Sequence, residues 1–345
     1  MSRLTIAILI PAHNEEKMIA SCVSSCLRQS RPADQIIVVN DGSTDRTAEI
    51  LASFGNQITV ITTQKATGNK SRAQEIGIEA ITADVFVATD GDTILDEYFV
   101  AHIEHEFRTR PDTAAVGGYV MSMRGNYLTA IREVDYVFGQ DLYKQAQAYI
   151  NYLFVIAGCA GAFKTELFRD GTIQFDHDTL TEDLDFTYKL HVANLPIRFC
   201  ADAIAYTQDP QTLSSYINQM RRWYAGGWQT VGKHWRIAFR EPSAALVLSL
   251  NYIEGLVFSC LFFVTLFVNA YVFLGLFSLY FLIGTGIGAY AALRRGRFDL
   301  LLVSPLATIM RAVHAYLFLE QFFIEIIVGR KNMVWFQPER TVTST

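Results

Sequence analysis

Charged side chains are scarce in this chain of 345 residues: they make up 18% of it, whereas hydrophobic residues make up 51%. So apolar a composition excludes an intrinsically disordered protein. The chain has 29 lysines and arginines against 34 aspartates and glutamates, which gives a formal net charge of -5. Because no basic excess is available to neutralise phosphates, we expect no nucleic-acid partner.

Cysteine is also scarce, and its spacing fits neither of the usual cysteine sites. The chain has five cysteines, an odd number, and no Cys-x-x-Cys pair. Cys22 and Cys26 are one helical turn apart, and Cys260 lies in a long apolar run. We therefore expect reduced thiols in a cytosol-facing protein, without a disulfide framework or a zinc site.

The start of the chain does not resemble a signal peptide. Met1, Ser2 and Arg3 lead directly into an apolar stretch, residues 6–10, and charged residues follow soon after. This stretch is too short for the hydrophobic core of a signal peptide. We expect no signal peptide and no membrane helix before the first folded domain.

Long hydrophobic runs are present only in the last third of the chain. Residues 244–268 would form a helix about 37 Å long at 1.5 Å per residue, enough to cross a bilayer. A second run, residues 271–293, follows after only Asn269 and Ala270. A connection this short predicts a helical hairpin with two membrane-spanning helices.

Basic residues flank both ends of this predicted hairpin. Lys233, Arg236 and Arg240 precede it, and residues 294–297, with the sequence RRGR, follow it. Positively charged flanks favour the cytoplasmic side of a membrane. We therefore predict a multi-pass protein of the cytoplasmic (inner) cell membrane, with the rest of the chain on the cytoplasmic face.

A third apolar run, residues 300–328, carries Arg311, His314, Glu320 and Glu325. Charged side chains are costly in the hydrocarbon layer. An interfacial or re-entrant helix is therefore the preferred interpretation of this run, and a third spanning helix is the alternative.

The first 110 residues alternate apolar runs with helical patterns, which predicts a mostly parallel sheet covered by helices. The predicted strands read IAILI, QIIVVN, ITVIT and VFVAT, and the predicted helices lie near residues 15–28, 44–54 and 70–80. Ligands of such sheets bind beyond the carboxyl ends of the strands. Polar clusters follow three of these ends, at residues 11–15, 40–43 and 90–92.

Asp90 and Asp92 follow a buried strand and are separated only by Gly91. A solvated turn would explain them, and Ser43 or Thr44 in the second cluster would serve as a helix N-cap. At one ligand-binding edge, however, the clusters together favour a nucleotide diphosphate. Hard carboxylate oxygens bind Mg²⁺ or Mn²⁺, which would also relieve the repulsion between the two aspartates.

Two later motifs carry further candidate residues. In TLTEDLDF, Thr181 could simply cap a helix, yet Glu182 and Asp183 in its first turn would be fixed in position, as a general base requires. Residues 155–168 combine small and apolar side chains, which is typical of close backbone approach to a ligand.

The segment QMRRW combines an amide, a cation and a flat apolar ring, in Gln219, Arg222 and Trp223. An amphipathic helix at the membrane surface explains the segment as a whole. These three groups are also suited to holding a sugar and neutralising a departing diphosphate.

In this order, the motifs PAHNEE, VVNDGSTDRT, DGD, TED and QMRRW resemble the inverting glycosyltransferase family of cellulose, chitin, hyaluronan and poly-N-acetylglucosamine synthases. The resemblance covers about residues 4–240, and WFQPER near the C-terminus is similar to the tail of bacterial members. It implies an α/β fold of the GT-A (Rossmann-like) type followed by C-terminal membrane helices. The implied regions are a nucleotide-sugar half, an acceptor half, a membrane region and a tail: 1–110, 111–240, 241–330 and 331–345.

The resemblance also implies roles for residues that bind the donor, a UDP-sugar. Ala12 and Glu15 would line the nucleoside, Asp41 would contact the uracil base, and Lys70 would lie near the nucleotide. One departure concerns the segment after Lys70, where Glu75 replaces an asparagine that is usual in the family.

For catalysis, the resemblance implies that Asp90 and Asp92 hold the metal and that Asp90 also contacts the nucleotide. Asp183, beside Glu182, resembles the general base that takes the proton of the acceptor hydroxyl. Arg222 would contact the diphosphate. Attack opposite the leaving UDP would convert an α-linked donor into a β-glycoside.

Gln219 and Trp223 would hold the acceptor, and the identity of the acceptor separates the functional hypotheses. A processive polysaccharide synthase is favoured by the TED and QxxRW motifs, although so few membrane segments would require a homo-oligomer or a separate export partner. A transferase that adds one or a few sugars to a lipid, similar to glucosylceramide synthase, is the second hypothesis. An inactive membrane scaffold is the third. A nucleotidyltransferase is disfavoured because the first strand leads to PAHNEE rather than to a glycine-rich phosphate loop.

Overall fold

The computed structural model describes residues 3–330 and 333. The described residues divide into two compact units: the first contains residues 3–121 and 144–208, and the second contains residues 122–143 and 209–330. The predicted tail and its WFQPER sequence lie outside the described residues, apart from Met333.

The first unit contains an eight-stranded sheet in the order β3-β2-β1-β4-β7-β6-β8-β5. In chain order the strands are β1 Ile6–Ala12, β2 Gln35–Asn40, β3 Thr59–Thr62, β4 Val85–Ala88, β5 Thr93–Leu95, β6 Ala115–Ser122, β7 Gly161–Lys164 and β8 Ile197–Thr207. The four strands predicted from the sequence, β1 to β4, are all parallel neighbours. β7 pairs antiparallel with both β4 and β6, and β5 pairs antiparallel with β8. The predicted α/β fold with its mostly parallel N-terminal sheet is confirmed, and strands from both sides of residue 110 share the sheet.

Helices surround the sheet in the first unit and make up most of the second. In chain order they are α1 Ile19–Leu27, α2 Thr47–Ala52, α3 Lys70–Glu79, α4 Phe99–Thr109, α5 Tyr127–Phe138, α6 Gln145–Tyr149, α7 Glu166–Arg169, α8 Glu182–Val192, α9 Leu213–His234, α10 Pro242–Leu248, α11 Glu254–Val268, α12 Ala270–Arg295 and α13 Asp299–Phe322. Of these, α5 and α9 to α13 belong to the second unit.

β1 lies between β2 and β4 in the parallel part of the sheet, and every one of its residues is buried. Leu9 lies opposite Ile37 of β2 and Ala88 of β4. Continuous apolar strands of this kind are expected where helices cover both faces of a parallel sheet. The register places the ends of β1, β2 and β4 at one edge.

Two helices begin later than the sequence predicts. The segment after β1 turns through Asn14, whose φ is 53°, and α1 starts only at Ile19. α2 starts at Thr47 because Asp45 Oδ1 accepts a hydrogen bond from Thr47 N at 2.9 Å. The expected N-caps Ser43 and Thr44 are therefore wrong, and the Asp45 carboxylate serves this purpose.

Within the part of the chain that the structure describes, three helical segments are long and apolar enough to cross a membrane: Pro242–Val268, Ala270–Arg295 and Asp299–Ile327. The first two match the predicted hairpin. Asn269 separates them, and its side chain accepts hydrogen bonds from Tyr271 N and Val272 N at 3.0 and 3.1 Å. The third segment is also long enough, and whether it spans or lies at the interface stays a prediction.

Candidate functional site

The loops after β1 and β2 form one continuous surface in the first unit. Asp41 N donates to Ala12 O at 2.8 Å. Asn14 N donates to Ser43 Oγ at 3.0 Å, and Asn14 Oδ1 accepts from Thr44 N at 2.8 Å. These reciprocal bonds hold PAHNEE against VVNDGSTDRT, so two of the predicted motifs share one edge of the sheet.

The Asp41 carboxylate is buried and organises the loop that follows β3. It accepts hydrogen bonds from Thr63 Oγ1 at 3.0 Å, from Thr67 N at 2.9 Å and from Thr67 Oγ1 at 2.8 Å. The neighbouring Gly42 has a φ of 61°, and a Cβ there would lie 2.2 Å from Ala66 N. Only glycine fits this close approach. The contact of Asp41 with uracil stays a prediction.

The turn Asp90-Gly91-Asp92 packs against the first loop. A Cβ on Gly91 would lie 3.1 Å from Glu15 Cγ and 3.5 Å from the Cβ of Ala12. Asp92 is buried, whereas the Asp90 side chain is 31% exposed. Ala12, Glu15, Asp41, Asp90 and Asp92, which are far apart in the sequence, are thus neighbours at the carboxyl edge of the sheet.

Lys70, the first residue of α3, provides a cation at this edge. Its Nζ forms an ion pair with Asp90 Oδ1 and lies 3.6 Å from Glu182 Oε1. Burial alone would lower the pKa of this ammonium, but the carboxylates of Asp90 and Glu182 outweigh burial and raise its pKa above the ordinary value. Lys70 therefore compensates the charge of Asp90, one of the two aspartates of this turn.

The side chains of Asp90 and Asp92 fit a Mg²⁺ or Mn²⁺ ion by the chemistry of their donor atoms. Both offer hard carboxylate oxygens on one short turn. Lys70 pairs with the Oδ1 atom of Asp90. The assignment of Asp90 and Asp92 as metal ligands stays a prediction.

A further acidic group, which the sequence analysis did not single out, lies in the same unit. Carboxylate oxygens of Asp176, Asp178 and Asp185 lie within 4.8 Å of one another. Asp176 forms an ion pair with Lys189 at 2.8 Å. The sequence signal was the spacing of three aspartates around the TED motif, in FDHDTLTEDLDF.

Asp183 lies at the start of α8, where the sequence predicted a helix. Its Oδ2 accepts from Gly158 N at 3.1 Å, and its Oδ1 accepts from Leu184 N at 2.9 Å. Two backbone donors therefore fix this carboxylate in position. Thr181 occupies the predicted N-cap position, but its buried Oγ1 has no hydrogen-bond partner among the described residues, so its side chain does not cap the helix.

Gly158 explains the run of small residues before β7. Its carbonyl oxygen lies 3.5 Å from Lys70 Nζ, and a Cβ at this position would lie 2.9 Å from the same nitrogen. The segment therefore makes room for Lys70 and Asp183. Through these contacts the structure brings Lys70, Asp90, Glu182 and Asp183 together around one glycine.

Glu75, the departure from the family pattern, has a partner that the sequence did not reveal. His177 Nε2 lies 3.3 Å from Glu75 Oε2, and His177 Nδ1 lies 2.9 Å from Ser71 Oγ. The pair joins α3 to the segment before α8. An acidic residue where the family has an asparagine was the only signal for it.

A second lysine, Lys144, lies in a different environment of the same unit. Its Nζ lies 5.5 Å from the centre of the Phe199 ring. Burial lowers the pKa of this ammonium to about 8, and the negative charge of Asp183 only partly opposes the shift. The ammonium of Lys70 therefore lies beside carboxylates, whereas the ammonium of Lys144 lies near an aromatic ring.

Gln219, Arg222 and Trp223 lie on α9 in the second unit. The Gln219 side chain is buried, and its Oε1 has no hydrogen-bond partner among the described residues. The guanidinium of Arg132, on α5, lies 4.7 Å from the centre of the Trp223 ring. The helix predicted for this segment is present, as α9. No feature of the sequence indicated its contact with Arg132.

Comparisons with known proteins agree with these motifs. Residues 3–226 match the family described as "Glycosyltransferase like family 2". A protein named poly-beta-1,6-N-acetyl-D-glucosamine synthase from Staphylococcus epidermidis is 27% identical over 224 residues, which are 64% of this chain and 54% of the relative. A relative of the same name from Staphylococcus aureus is 28% identical over 225 residues, with the same coverage. The chain thus spans about half the length of these relatives.

Solved structures share the fold. A mannosyltransferase, PcManGT from Pyrobaculum calidifontis in complex with GDP-Man and Mn²⁺, has a TM-score of 0.62 and 18% identity, over 91% of this chain and 88% of that chain. Staphylococcus aureus TarS 1-349 in complex with UDP-GlcNAc has a TM-score of 0.51 and 16% identity, over 93% and 92% of the two chains. With the fold, the motif order and the match over residues 3–226 in agreement, the chain belongs to glycosyltransferase family 2.

Proposed function

We propose that this chain is a membrane-associated, inverting glycosyltransferase that transfers N-acetylglucosamine from UDP-N-acetylglucosamine to a growing β-linked polysaccharide. The names of the Staphylococcus relatives and the UDP-GlcNAc complex of TarS support the donor and the polymer. The three apolar helical segments support an association with the lipid bilayer.

The grouping of Lys70, Asp90, Glu182 and Asp183 is the observation that carries the proposal. These residues come from three separate parts of the chain and meet at the carboxyl edge of the sheet, where parallel α/β proteins bind ligands. The ammonium of Lys70 suits the diphosphate of a sugar-nucleotide donor, and a carboxylate suits the proton transfer that accompanies reaction of the sugar. A solvated turn would not require this convergence.

In the proposed reaction, Asp183 accepts the proton of the acceptor hydroxyl as that oxygen attacks the anomeric carbon. The bond from that carbon to the diphosphate oxygen breaks, and UDP leaves from the opposite face. Because two backbone amides hold the Asp183 carboxylate, it needs little reorganisation before it accepts the proton.

The departing UDP gains negative charge, and cationic groups stabilise that charge. Lys70 and Arg222 are proposed to stabilise the charge on the departing UDP. Lys70 would exchange its ion pair with Asp90 for one with the diphosphate. Asp90 and Asp92 would hold a Mg²⁺ or Mn²⁺ ion, which when bound neutralises the diphosphate. Gln219 and Trp223 are proposed to hold the acceptor sugar. Ala12, Glu15 and Asp41 are proposed to bind the nucleoside.

A glycolipid acceptor is the second candidate. It is favoured by the small number of membrane segments: within the described residues, three helical segments are long and apolar enough to span. A polymer product would then depend on a homo-oligomer or on a separate export partner. The basic residues around the hairpin support a cytoplasmic position for the first unit, which is part of the proposal.

The proposal is tested with the full chain in native membranes. Nucleotide release is measured in the presence of Mn²⁺ with one donor at a time: UDP-glucose, UDP-N-acetylglucosamine, UDP-galactose, UDP-glucuronate or GDP-mannose. We expect release chiefly from UDP-N-acetylglucosamine, its loss on chelation, and a radiolabelled polymer. A discrete chloroform-soluble product would instead support the glycolipid acceptor. Absence of release from every donor would support the inactive scaffold.

A further inference from the structure

Arg132 is a buried cation on α5 that lies against the acceptor motif of the second unit. Its side chain is 6% exposed. The guanidinium carbon lies 4.7 Å from the centre of the Trp223 ring and 4.6 Å from the centre of the Tyr136 ring. A guanidinium at this distance from an indole is held by a cation–π attraction, which strengthens when water is excluded.

Acidic and hydroxyl groups fix the orientation of this guanidinium. Arg132 Nε lies 3.5 Å from Asp209 Oδ1, and Arg132 Nη2 donates to Tyr136 Oη at 3.1 Å. The Tyr136 hydroxyl in turn donates to Asp209 Oδ1 at 3.1 Å. Asp135 Oδ2 lies 3.6 Å from Arg132 Nη1. Because Asp209 is buried, the ion pair is shielded from solvent, and the guanidinium plane has little freedom to rotate.

The helix that carries Arg132 is itself anchored. The next residue, Glu133, forms an ion pair with Arg295 at 3.2 Å and accepts a hydrogen bond from Ser122 N at 2.9 Å. Leu128 and Ile131 of α5 belong to a buried apolar cluster that also contains residues of α9 and α13. The guanidinium and the indole therefore project from helices that are packed in one core.

We propose that Arg132 is a positioning residue for Trp223: its guanidinium covers one face of the indole, fixes the ring, and leaves the opposite face for the acceptor sugar to stack on. This inference depends on the proposed function, in which Trp223 holds the acceptor. It assigns to α5 a role in acceptor binding, and it predicts that donor binding is independent of Arg132.

The planarity of the guanidinium distinguishes this role from a general need for positive charge. A lysine would retain the charge and could still pair with Asp209, but it has no flat group to lie on the indole. Arg132→Lys should therefore loosen the ring with little change in charge. Arg132→Met removes the charge as well, leaves Asp209 without its cation, and should have the larger effect.

The experiment uses the full chain in detergent or native membranes. Three proteins are compared: the wild type, Arg132→Lys and Arg132→Met. For each we measure UDP binding and the KM for UDP-N-acetylglucosamine. We also measure kcat and KM for a short soluble β-linked N-acetylglucosamine oligomer as the acceptor. Arg124→Lys, a change at an exposed arginine of the same unit, is the matched control. Slow release of UDP from the donor without acceptor is measured in parallel.

For Arg132→Lys we expect the acceptor KM to rise about tenfold, with kcat, donor KM and UDP binding within about twofold of the wild type. Acceptor-independent UDP release should stay unchanged, and Arg124→Lys should match the wild type. An unchanged acceptor KM in Arg132→Lys would overturn the inference, as would an equal rise in both KM values or a loss of UDP binding in both variants. A wild-type protein that transfers to no acceptor would instead overturn the proposed function itself.

Discussion

Charged residues are used differently in the two units of the molecule. In the first unit they follow strand ends or begin helices, and several carboxylates gather around one ammonium, as with Lys70, Asp90 and Glu182. In the second unit they lie along helices, and a pair that joins two helices has one member on each, as Arg221 of α9 with Glu320 of α13 at 2.8 Å. Arg132, which lies near both Asp135 and Asp209, is the exception described above.

The number of partners that a charged side chain has indicates whether it is available to a ligand. A lysine with two carboxylate neighbours can exchange one of them for a diphosphate, because the other carboxylate still compensates its charge. A one-to-one pair between helices has no spare partner, so a ligand that took one member would leave the other unpaired. The first arrangement is suited to binding, and the second to holding helices together.

Among substitutions that test how the two units differ, Asp183→Asn is expected to have the greatest effect. The amide keeps the shape of the side chain but cannot accept the proton, so we expect transfer to fall by about 10²- to 10⁴-fold. The single amide oxygen can keep only one of the two backbone hydrogen bonds that Asp183 accepts. UDP binding should persist, because the side chains proposed to bind the donor are unchanged. Single-turnover transfer and calorimetric UDP binding measure the two effects. Wild-type turnover in this variant would remove Asp183 from the role of base.

Removing the cation at the carboxyl edge should have the next largest effect. Lys70→Met leaves Asp90 and Glu182 facing each other without the ammonium, and we expect kcat/KM for the donor to fall about 100-fold. Lys164→Met is the matched control, since Lys164 is also paired in the first unit, with Glu166 at 3.7 Å. If both variants lose activity equally, the carboxyl edge has no special dependence on its lysine.

The contrast between Lys70 and Lys144 predicts a smaller effect on stability. Burial lowers the pKa of Lys144 to about 8 from an ordinary value of 10.5, so the protonated side chain destabilises the folded state. Below pH 8 both states carry the proton and the penalty is complete. Between pH 8 and 10.5 the folded state releases its proton first, and the free energy of unfolding rises with pH.

Lys144→Met should therefore stabilise the protein by about 1 kcal/mol at pH 7, and this difference should shrink as the pH is raised from 8 towards 10.5. Apparent melting temperatures of the purified protein at several pH values, with Lys164→Met as the reference, provide the measurement. A difference that does not change with pH would show that the ammonium is not the cause.

The smallest effect is expected where the helical pairs are partly exposed. Glu320→Gln removes the partner of Arg221, whose side chain is 43% exposed, and should cost only about 0.5 kcal/mol. A double-mutant cycle with Arg221→Gln isolates the pair from other effects of each change. A coupling energy several times larger would mean that this exposed pair contributes substantially to the packing of α9 against α13.

Much of the candidate donor site could be predicted from the sequence because it follows strand ends. Asp90 and Asp92 come directly after the apolar run of β4, and the parallel register brings the ends of neighbouring strands to one edge. The contact between Lys70 and Glu182 could not be predicted in this way. These residues are more than one hundred positions apart, and neither lies at the end of a strand.

The hairpin was also predictable, because a bilayer-length apolar run and its short connection are local properties of the sequence. The contact of Arg132 with Trp223 was not predictable. An arginine within an amphipathic helix gives no indication of which side chain it will cover, since that depends on how α5 and α9 pack. The late starts of α1 and α2 were missed because the turn at Asn14 and the carboxylate of Asp45 compete with the helical pattern.

The parallel strands, the order of the motifs and the apolar helices follow from the sequence alone, because neighbouring residues encode hydrophobic periodicity and strand ends. The packing of these elements selects which charges meet: Lys70 with Asp90 and Glu182, and Arg132 with Asp209. Electrostatic contacts act over a few ångströms in space, and distance along the chain does not fix them until the strands and helices have packed.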